Sequence, residues 1–508
     1  MQEFTVAEVA KHNVPKDLWC IIDGNVYNLT DFADAHPGSA VVLHKIAGKD
    51  ATSEFYSFHR QEVLKKYARL VIGKTAVLQK YPLPPPASFS KVPYAETLAT
   101  LTKPSPFYNQ SHLAFKRAIR AFCEENIAPD AESFAKLGKI PTRETLLAMG
   151  ETNIHACRLG PGPHLKGRTL LGGVLPEDFD YFHEAIAHEE IARAAGIYCY
   201  AEGLASGMMI GAPPVLKFGP AWMKEKVIPS ILSGEKMICL AISEPGAGSD
   251  VAGISCEAIK TPDGKHFIVN GTKKWITNGT FSHYFTTAVK GTAGISMLLI
   301  ERSDGVETEA IKTSGTGSAG TAYVTFTNVK VPVENLIGKE GQGFAVIMAN
   351  FNHERWGMVA SACSAARFIV EECFKWATQR KVFGKSLVEQ PVIRYKLGQM
   401  IADLEAVQSW YEAITYQMTK LDYKQQTQQL AGPIALLKYR CTRMTHLVSD
   451  NAVQIFGGRA ITATGMGRHI EQFQRTNKFG AILGGAEEVL LDLGVRQSMK
   501  VYPKDARL

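Results

Sequence analysis

The sequence has no apolar run long enough to cross a bilayer, and its first residues, MQEFTVAEVAKHNVPKD, lack the apolar core of a secretory leader. It has no basic block either. A net charge of +7 spread over 508 residues leaves only a mild attraction to anionic ligands and gives no footprint for nucleic acid. It has no CxxC pair. The nine cysteines are odd in number and scattered, which argues against a disulfide framework and for a reducing compartment. No internal repeat occurs. Two nucleotide-loop patterns also fail. GTGSAG at 315–320 fits GxGxxG, but the strand-like TAYVTF follows it where a phosphate-holding helix would have to begin. GKS at 384–386 lacks the first glycine of a P-loop, because Gln379 stands there.

What is present divides the chain. It is too long for one core, so several domains are expected. Residues 1–76 form a compact unit of mixed charge. The stretch YPLPPPASFSKVP at 81–93 cannot pair in a sheet or continue a helix, and it marks a semi-rigid linker over 77–105. Helical patterns fill 106–236. From 237 to 340 short β-rich runs (MICLAIS, HFIVNG, KKWITNG, ISMLLIE, TAYVTFTNVKVP) alternate with turn residues. Long helical patterns return over 341–508. This order of helices, sheet, helices predicts a multidomain α+β protein with segregated layers. The final Ala506-Arg507-Leu508 has the small–basic–Leu form of a peroxisomal address, so the expected location is the peroxisome, with the cytosol as the alternative.

Within the last region, Ile347, Phe351, Met358, Ala362, Ala365 and Ile369 recur at spacings that predict one helix from Gly343 to Gln379. Glu354 falls on its apolar face, where a carboxylate is costly unless paired or employed.

In the N-terminal unit, His36 precedes a Pro-Gly turn in DFADAHPGS, and His59 ends EFYSFH. Two neutral imidazoles can ligate one haem iron from opposite sides. The stretches LWCIIDGNVYNLTDFADAHPG and GKDATSEFYSFH resemble the cytochrome b5 family over about residues 2–76. The resemblance implies a small α+β domain binding haem b, with His36 and His59 as axial ligands. Ser39 stands where that family has the second glycine of HPGG, a departure small in size.

The remainder carries SEPGAGSD at 243–250, NGTKKWITNG at 270–279, VKVPVENLIGKEGQGF at 329–344, RKVFGKSL at 380–387 and VQIFGG at 453–458. In this order they resemble the acyl-CoA dehydrogenase family over about residues 106–500. The resemblance implies a helical domain, a β-barrel-like domain and a four-helix bundle, with FAD between the last two. Leu240, Ile242 and Ser243 are then expected to line the flavin ring, Trp275 to pack beside it, and Thr277 to reach its N5. Ser249 is expected at the substrate or its CoA arm. Arg380, Phe383, Gln454, Gly457 and Gly458 match positions that hold the FAD of a neighbouring subunit, which implies a homodimer or homotetramer. Arginine suits phosphate through its planar fork.

Most members place the catalytic base in a late Tyr-Glu-Gly-Thr stretch. The corresponding stretch here, AILGGAEEVLLDLG at 481–494, has Leu483 and Gly484 in the first two places. A minority carry the base on the first bundle helix as Glu-Arg, which Glu354-Arg355 matches. The resemblance thus implies Glu354 as base for the α-proton, with Arg355 reaching the CoA moiety and His353 on the helix surface. The expected reaction is FAD-dependent α,β-dehydrogenation of an acyl-CoA thioester in fatty acid β-oxidation. The tethered haem would take the electrons that relatives give to a separate flavoprotein. An oxidase using oxygen, and a monooxygenase-like enzyme acting on a non-CoA substrate, are the competing readings.

Overall fold

The computed structural model describes all residues except 77–84, 102–103, 135–137, 197–199, 316, 504 and 507–508. The first part of the proline-rich stretch, Thr316 of GTGSAG, and Arg507 and Leu508 of the terminal tripeptide lie outside the described residues. The chain forms two compact units. One comprises Met1–Ser88, Glu372–Leu397 and Val453–Glu471; the other comprises Phe89–Glu371, Gly398–Ala452 and Gln472–Leu508. No described helix is long and apolar enough to cross a membrane.

In the first unit the N-terminal residues build a five-stranded sheet in the order Gln2–Phe4, Val71–Thr75, Asn25–Asn28, Asp17–Ile22, Asn13–Val14. The first pair is parallel, and the other three pairs are antiparallel. Strand alternation explains the sequence DLWCII. Leu18, Cys20 and Ile22 enter a core with Tyr27, Leu29, Leu43 and Ala47, while Ile21 faces Val9 and Val26 on the other side. Short helices Ala40–Ile46, Thr52–Tyr56 and Glu62–Lys66 cover the first core. The same unit holds a hairpin, Lys381–Val382 with Lys385–Ser386. Its two-residue turn has φ 50° at Phe383 and 76° at Gly384, the geometry that matches strand twist.

In the second unit, helices such as Gln110–Phe122 and Tyr181–Ala195 precede one eight-stranded, mostly antiparallel sheet. HFIVNG and KKWITNG, expected as separate runs, are one strand, His266–Ile276. Gly271 lets it pass close to its neighbour: its φ is 143°, and a Cβ there would lie 2.7 Å from the Cys256 backbone. GTGSAG is a single 3₁₀ turn, Gly317–Ala319, before the strand Ala322–Pro332. Long helices Gly343–Gln379, Pro391–Lys420 and Ala431–Phe456 follow, their residues 372–379, 391–397 and 453–456 belonging to the first unit, then Glu487–Lys500.

The C-terminal part of the expected linker is packed against the helices. Glu96 is buried and held by both terminal nitrogens of Arg120, with Lys116 at 3.9 Å. Arg367 donates to the carbonyls of Tyr94 and Glu96, and Ser90 donates to Glu371 at 2.8 Å. The described chain from Phe89 to Glu96 is therefore a strap held against the helices, where a linker was expected.

Candidate functional site

The cradle of the two N-terminal histidines is local. His36 Nδ1 donates to the Ser39 carbonyl at 3.2 Å, and His59 Nδ1 donates to the Phe55 carbonyl at 3.3 Å. A carbonyl only accepts, so both protons sit on Nδ1 and both Nε2 lone pairs are left for a metal. The ring centres are 5.9 Å apart. Two bonds of ~2 Å plus roughly 1 Å from each nitrogen to its ring centre span about that distance. Burial pushes the His59 pKa down, which keeps the ring neutral. Gly38 is required here, because a Cβ would lie 2.7 Å from His36 Cε1. These residues fit a bis-imidazole haem. Ser39 is a larger departure than its size suggests: its φ is 78°, a region costly for any residue with a Cβ. Its hydroxyl accepts from Val41 N–H at 3.3 Å and caps the next helix, which offsets part of the strain.

The flavin-side loops are fastened from beneath. Lys273, fully buried, donates to Glu244 at 2.7 Å and to the Ile242 carbonyl at 3.0 Å. Glu244 also accepts from the N–H groups of Ser255 and Cys256. Burial would raise this carboxyl, but Lys273 and the two N–H groups hold it below its usual range. Lys274 N–H donates to the Ser243 carbonyl at 2.8 Å, so residues 243–250 and 270–279 act as one piece. Above this base, Trp275 is 50% exposed at φ 66°. A large aromatic held half-bare in a strained backbone fits a stacking face for a flat ligand. Leu240, Ser243 and Thr277 are partly exposed, Ile242 is buried, and Ser249 is exposed. The Ser243 and Thr277 hydroxyls have no protein partner among the described residues. The set fits a flavin ring. Glu244 and Lys273 went unnoticed in the sequence, although Glu244 lies inside SEPGAGSD itself.

In the other unit, Arg380, Gln454, Gly457 and Gly458 remain accessible, and Phe383 is 96% exposed. Open space surrounds both glycines. Arg459, also overlooked in the sequence, lies over the Trp376 ring at 4.9 Å. Burial and the nearby Arg380 both lower its pKa. Two guanidiniums in mutual repulsion suit an anion such as a pyrophosphate.

Glu354 and Gly484 converge although 130 positions separate them in the chain. A Cβ built on Gly484 would lie 3.7 Å from Glu354 Oε1 and 2.7 Å from Met358 Sδ. Glu354 and the late position at which the family resemblance leads one to expect a base thus address one spot. Burial raises the Glu354 pKa to about 7; Arg355 and Lys438 pull it down, and Glu202 pushes it up. The carboxylate makes no hydrogen bond or ion pair among the described residues. Arg355, expected at the CoA arm, is buried, with Nε donating to the Gly484 carbonyl at 2.8 Å. Lys438 donates to the Gly485 carbonyl at 2.7 Å. Together these cations hold a turn with φ 66° and 114° that only glycine adopts cheaply. Its two N–H groups have no protein acceptor among the described residues.

His353 is not a plain surface residue. It pairs with buried Glu184 at 2.7 Å and stacks on Trp356. With Asn352, Lys217 and Tyr423 it lines a cavity of about 140 Å³. Trp356 points away from the base, donating to Thr415 at 2.9 Å, whereas Met358 borders Gly484.

Comparison with known proteins agrees with this geometry. Residues 5–76 match the cytochrome b5-like heme/steroid binding domain. Residues 109–235, 239–329 and 341–499 match the N-terminal, middle and C-terminal domains of acyl-CoA dehydrogenases. The acyl-CoA dehydrogenase apdG of Emericella nidulans is 39% identical over 432 residues, covering 83% of this chain and 98% of the relative. The mitochondrial isovaleryl-CoA dehydrogenase of Arabidopsis thaliana is 33% identical over 364 residues, covering 70% and 83%. The crystal structure of acyl-CoA dehydrogenase from Geobacillus kaustophilus superposes with a TM-score of 0.67 at 26% identity, over 78% of this chain and 100% of that one. The chain belongs to the acyl-CoA dehydrogenase family of oxidoreductases, whose fold binds FAD, and it carries a cytochrome b5-like domain, which binds haem.

Proposed function

We propose that Glu354 removes the α-proton of an acyl-CoA thioester and that the electrons released pass to the fused haem. The observation that carries this reading is the unpaired Glu354 carboxylate, raised to about 7 and 3.7 Å from the Cβ position of Gly484. A weakly acidic α-carbon needs a base that is desolvated, free of partners and near neutral pKa. Arg355 and Lys438 hold the Gly484–Gly485 turn by its carbonyls, leaving its N–H groups to receive the developing enolate oxygen. Met358 packs against the turn beside the base. Trp275, Ser243 and Thr277 position the flavin. Bound FAD supplies the β-hydride acceptor at N5, and bound haem supplies a one-electron acceptor. A haem held there would take one electron at a time, so the two electrons of the dehydrogenation would require an external one-electron acceptor as well. His36 and His59 would hold the haem through their Nε2 atoms, and a haem held by two histidines would supply electron transfer, not oxygen binding, which supports an electron-carrying role for the module. The exposed Phe383 and the Arg380–Arg459 pair support an oligomer whose neighbouring copy brings its FAD to this surface.

The test is anaerobic mixing with a panel of acyl-CoAs, following flavin bleaching and then haem reduction. Bleaching with a subset of the panel, followed by haem reduction, supports the reading. Haem that stays ferric after bleaching overturns the electron route.

A further inference from the structure

The haem module meets the rest of its unit through four charges, of which Arg60, Glu372 and Arg468 are mostly covered and Glu62 is half-exposed. Arg60 follows the haem ligand His59 directly. Its guanidinium grips the Glu372 carboxylate near the C-terminal end of the Gly343–Gln379 helix and donates to the Met466 carbonyl at 3.3 Å. Glu62, two residues on, lies 3.3 Å from Arg60 Nε and 3.5 Å from an Arg468 terminal nitrogen. The module thus contributes one cation and one anion, and the surface it meets contributes Glu372 and Arg468, with Lys375 3.7 Å from Glu372. Such a crossed set has a single register, because sliding the module along the helix would set like charges opposite each other. The Glu372 side chain is 4% exposed and that of Arg60 is 15% exposed. A freely swinging domain would keep such groups solvated, since burying an ion pair costs desolvation that only well-fixed geometry offsets.

The place of attachment also matters. Glu372, Trp376 and Arg380 are four residues apart along the chain. Met466, which receives Arg60, precedes Gly467, where any Cβ would collide with the Arg459 carbonyl. The attachment therefore abuts the two-arginine surface described above.

We infer that Arg60, Glu62, Glu372 and Arg468 form a docking latch that seats the haem module in one fixed position beside this anion-binding surface for electron transfer. The latch rests on the proposed flavin-to-haem route for its purpose, but not for its existence. The linker is then a connector, and the latch sets the geometry.

The full-length protein loaded with FAD and haem tests this with Arg60→Gln, Glu372→Gln and the exchange Arg60→Glu/Glu372→Arg. Hydrogen exchange is followed in residues 57–66 and 462–470, alongside anaerobic flavin bleaching and haem reduction. Each single variant is expected to raise exchange in both segments at least tenfold. Haem reduction should slow by a similar factor while bleaching by acyl-CoA stays unchanged, and the exchange variant should recover part of both, since it restores the central pair but sets like charges beside Glu62 and Lys375. Unaltered exchange and haem reduction in both single variants would overturn the latch. So would equal loss in the exchange variant, which would mark these residues as merely needed for folding. Wild-type haem that is never reduced, with exchange still rising in the variants, refutes the electron route while leaving the docking contact standing.

Discussion

Glu354 and Glu372 lie on the same helix and are both withdrawn from water, yet they titrate in opposite directions. Burial lifts Glu354 to about 7, because the nearby cations are turned toward the carbonyls of Gly484 and Gly485. Burial acts on Glu372 as well, but the Arg60 guanidinium in contact with it brings it down to about 2. The difference lies in whether a cation touches the carboxylate, and it separates a proposed base from a structural anchor.

The hardest test of that contrast is removal of the base. Glu354→Gln is expected to keep FAD bound and slow anaerobic flavin bleaching by at least about 10³-fold, the upper part of the range for general-base catalysis. Normal bleaching in this variant would end the assignment. Moving the base sharpens it: in Glu354→Gln/Met358→Ala, adding Gly484→Glu should restore at least about tenfold of the lost rate, since both positions reach one spot. No gain in the triple variant would separate the two positions.

The pH dependences should run oppositely. Wild-type bleaching is expected to rise with pH through about 7 as Glu354 ionises. The folded pKa of Glu354 is raised above the ordinary carboxylate value, so its destabilising contribution is absent below about 4.5 and complete above about 7. Glu354→Gln should therefore raise the melting temperature at pH 8 and change it little at pH 4. The folded pKa of Glu372 is depressed, so its stabilising contribution is complete above about 4.5 and lost as pH falls toward about 2. Glu372→Gln should lower the melting temperature of the haem module at pH 7, by an amount equivalent to about 3 kcal/mol, because Arg60 is left with only the half-exposed Glu62 as its anion. The smallest effect is expected from Ser39→Gly, which relieves the φ of 78° and should stabilise the module by about 1 kcal/mol in thermal melts.

The residues whose roles are local were legible in the sequence. His36 and His59 lie in short runs that dictate turn, helix and ring position. The Gly343–Gln379 helix could be bounded to the residue because its apolar spacing is continuous. Glu354 was legible as an anomaly on that spacing. What escaped are groups whose partner is distant in the chain. Lys273 and Glu244, Arg60 and Glu372, and Lys438, which donates to the Gly485 carbonyl, look like ordinary surface charges until the fold covers them. The strap after Phe89 was hidden for a related reason. Proline marks where chain leaves a sheet or helix, but not where a following Glu96 will find Arg120. The joining of HFIVNG to KKWITNG turned on Gly271, read as a break and used as a point of close passage.

Phe383 has a consequence for how this protein behaves at low concentration. On the proposed assembly its phenyl ring, bare in the single chain, is covered only when a second copy arrives with its flavin. Cofactor retention then obeys mass action between subunits as well as between protein and FAD. A preparation diluted until its subunits part should lose yellow colour on a filter, while a haem held within one chain, by His36 and His59 as proposed, should stay behind.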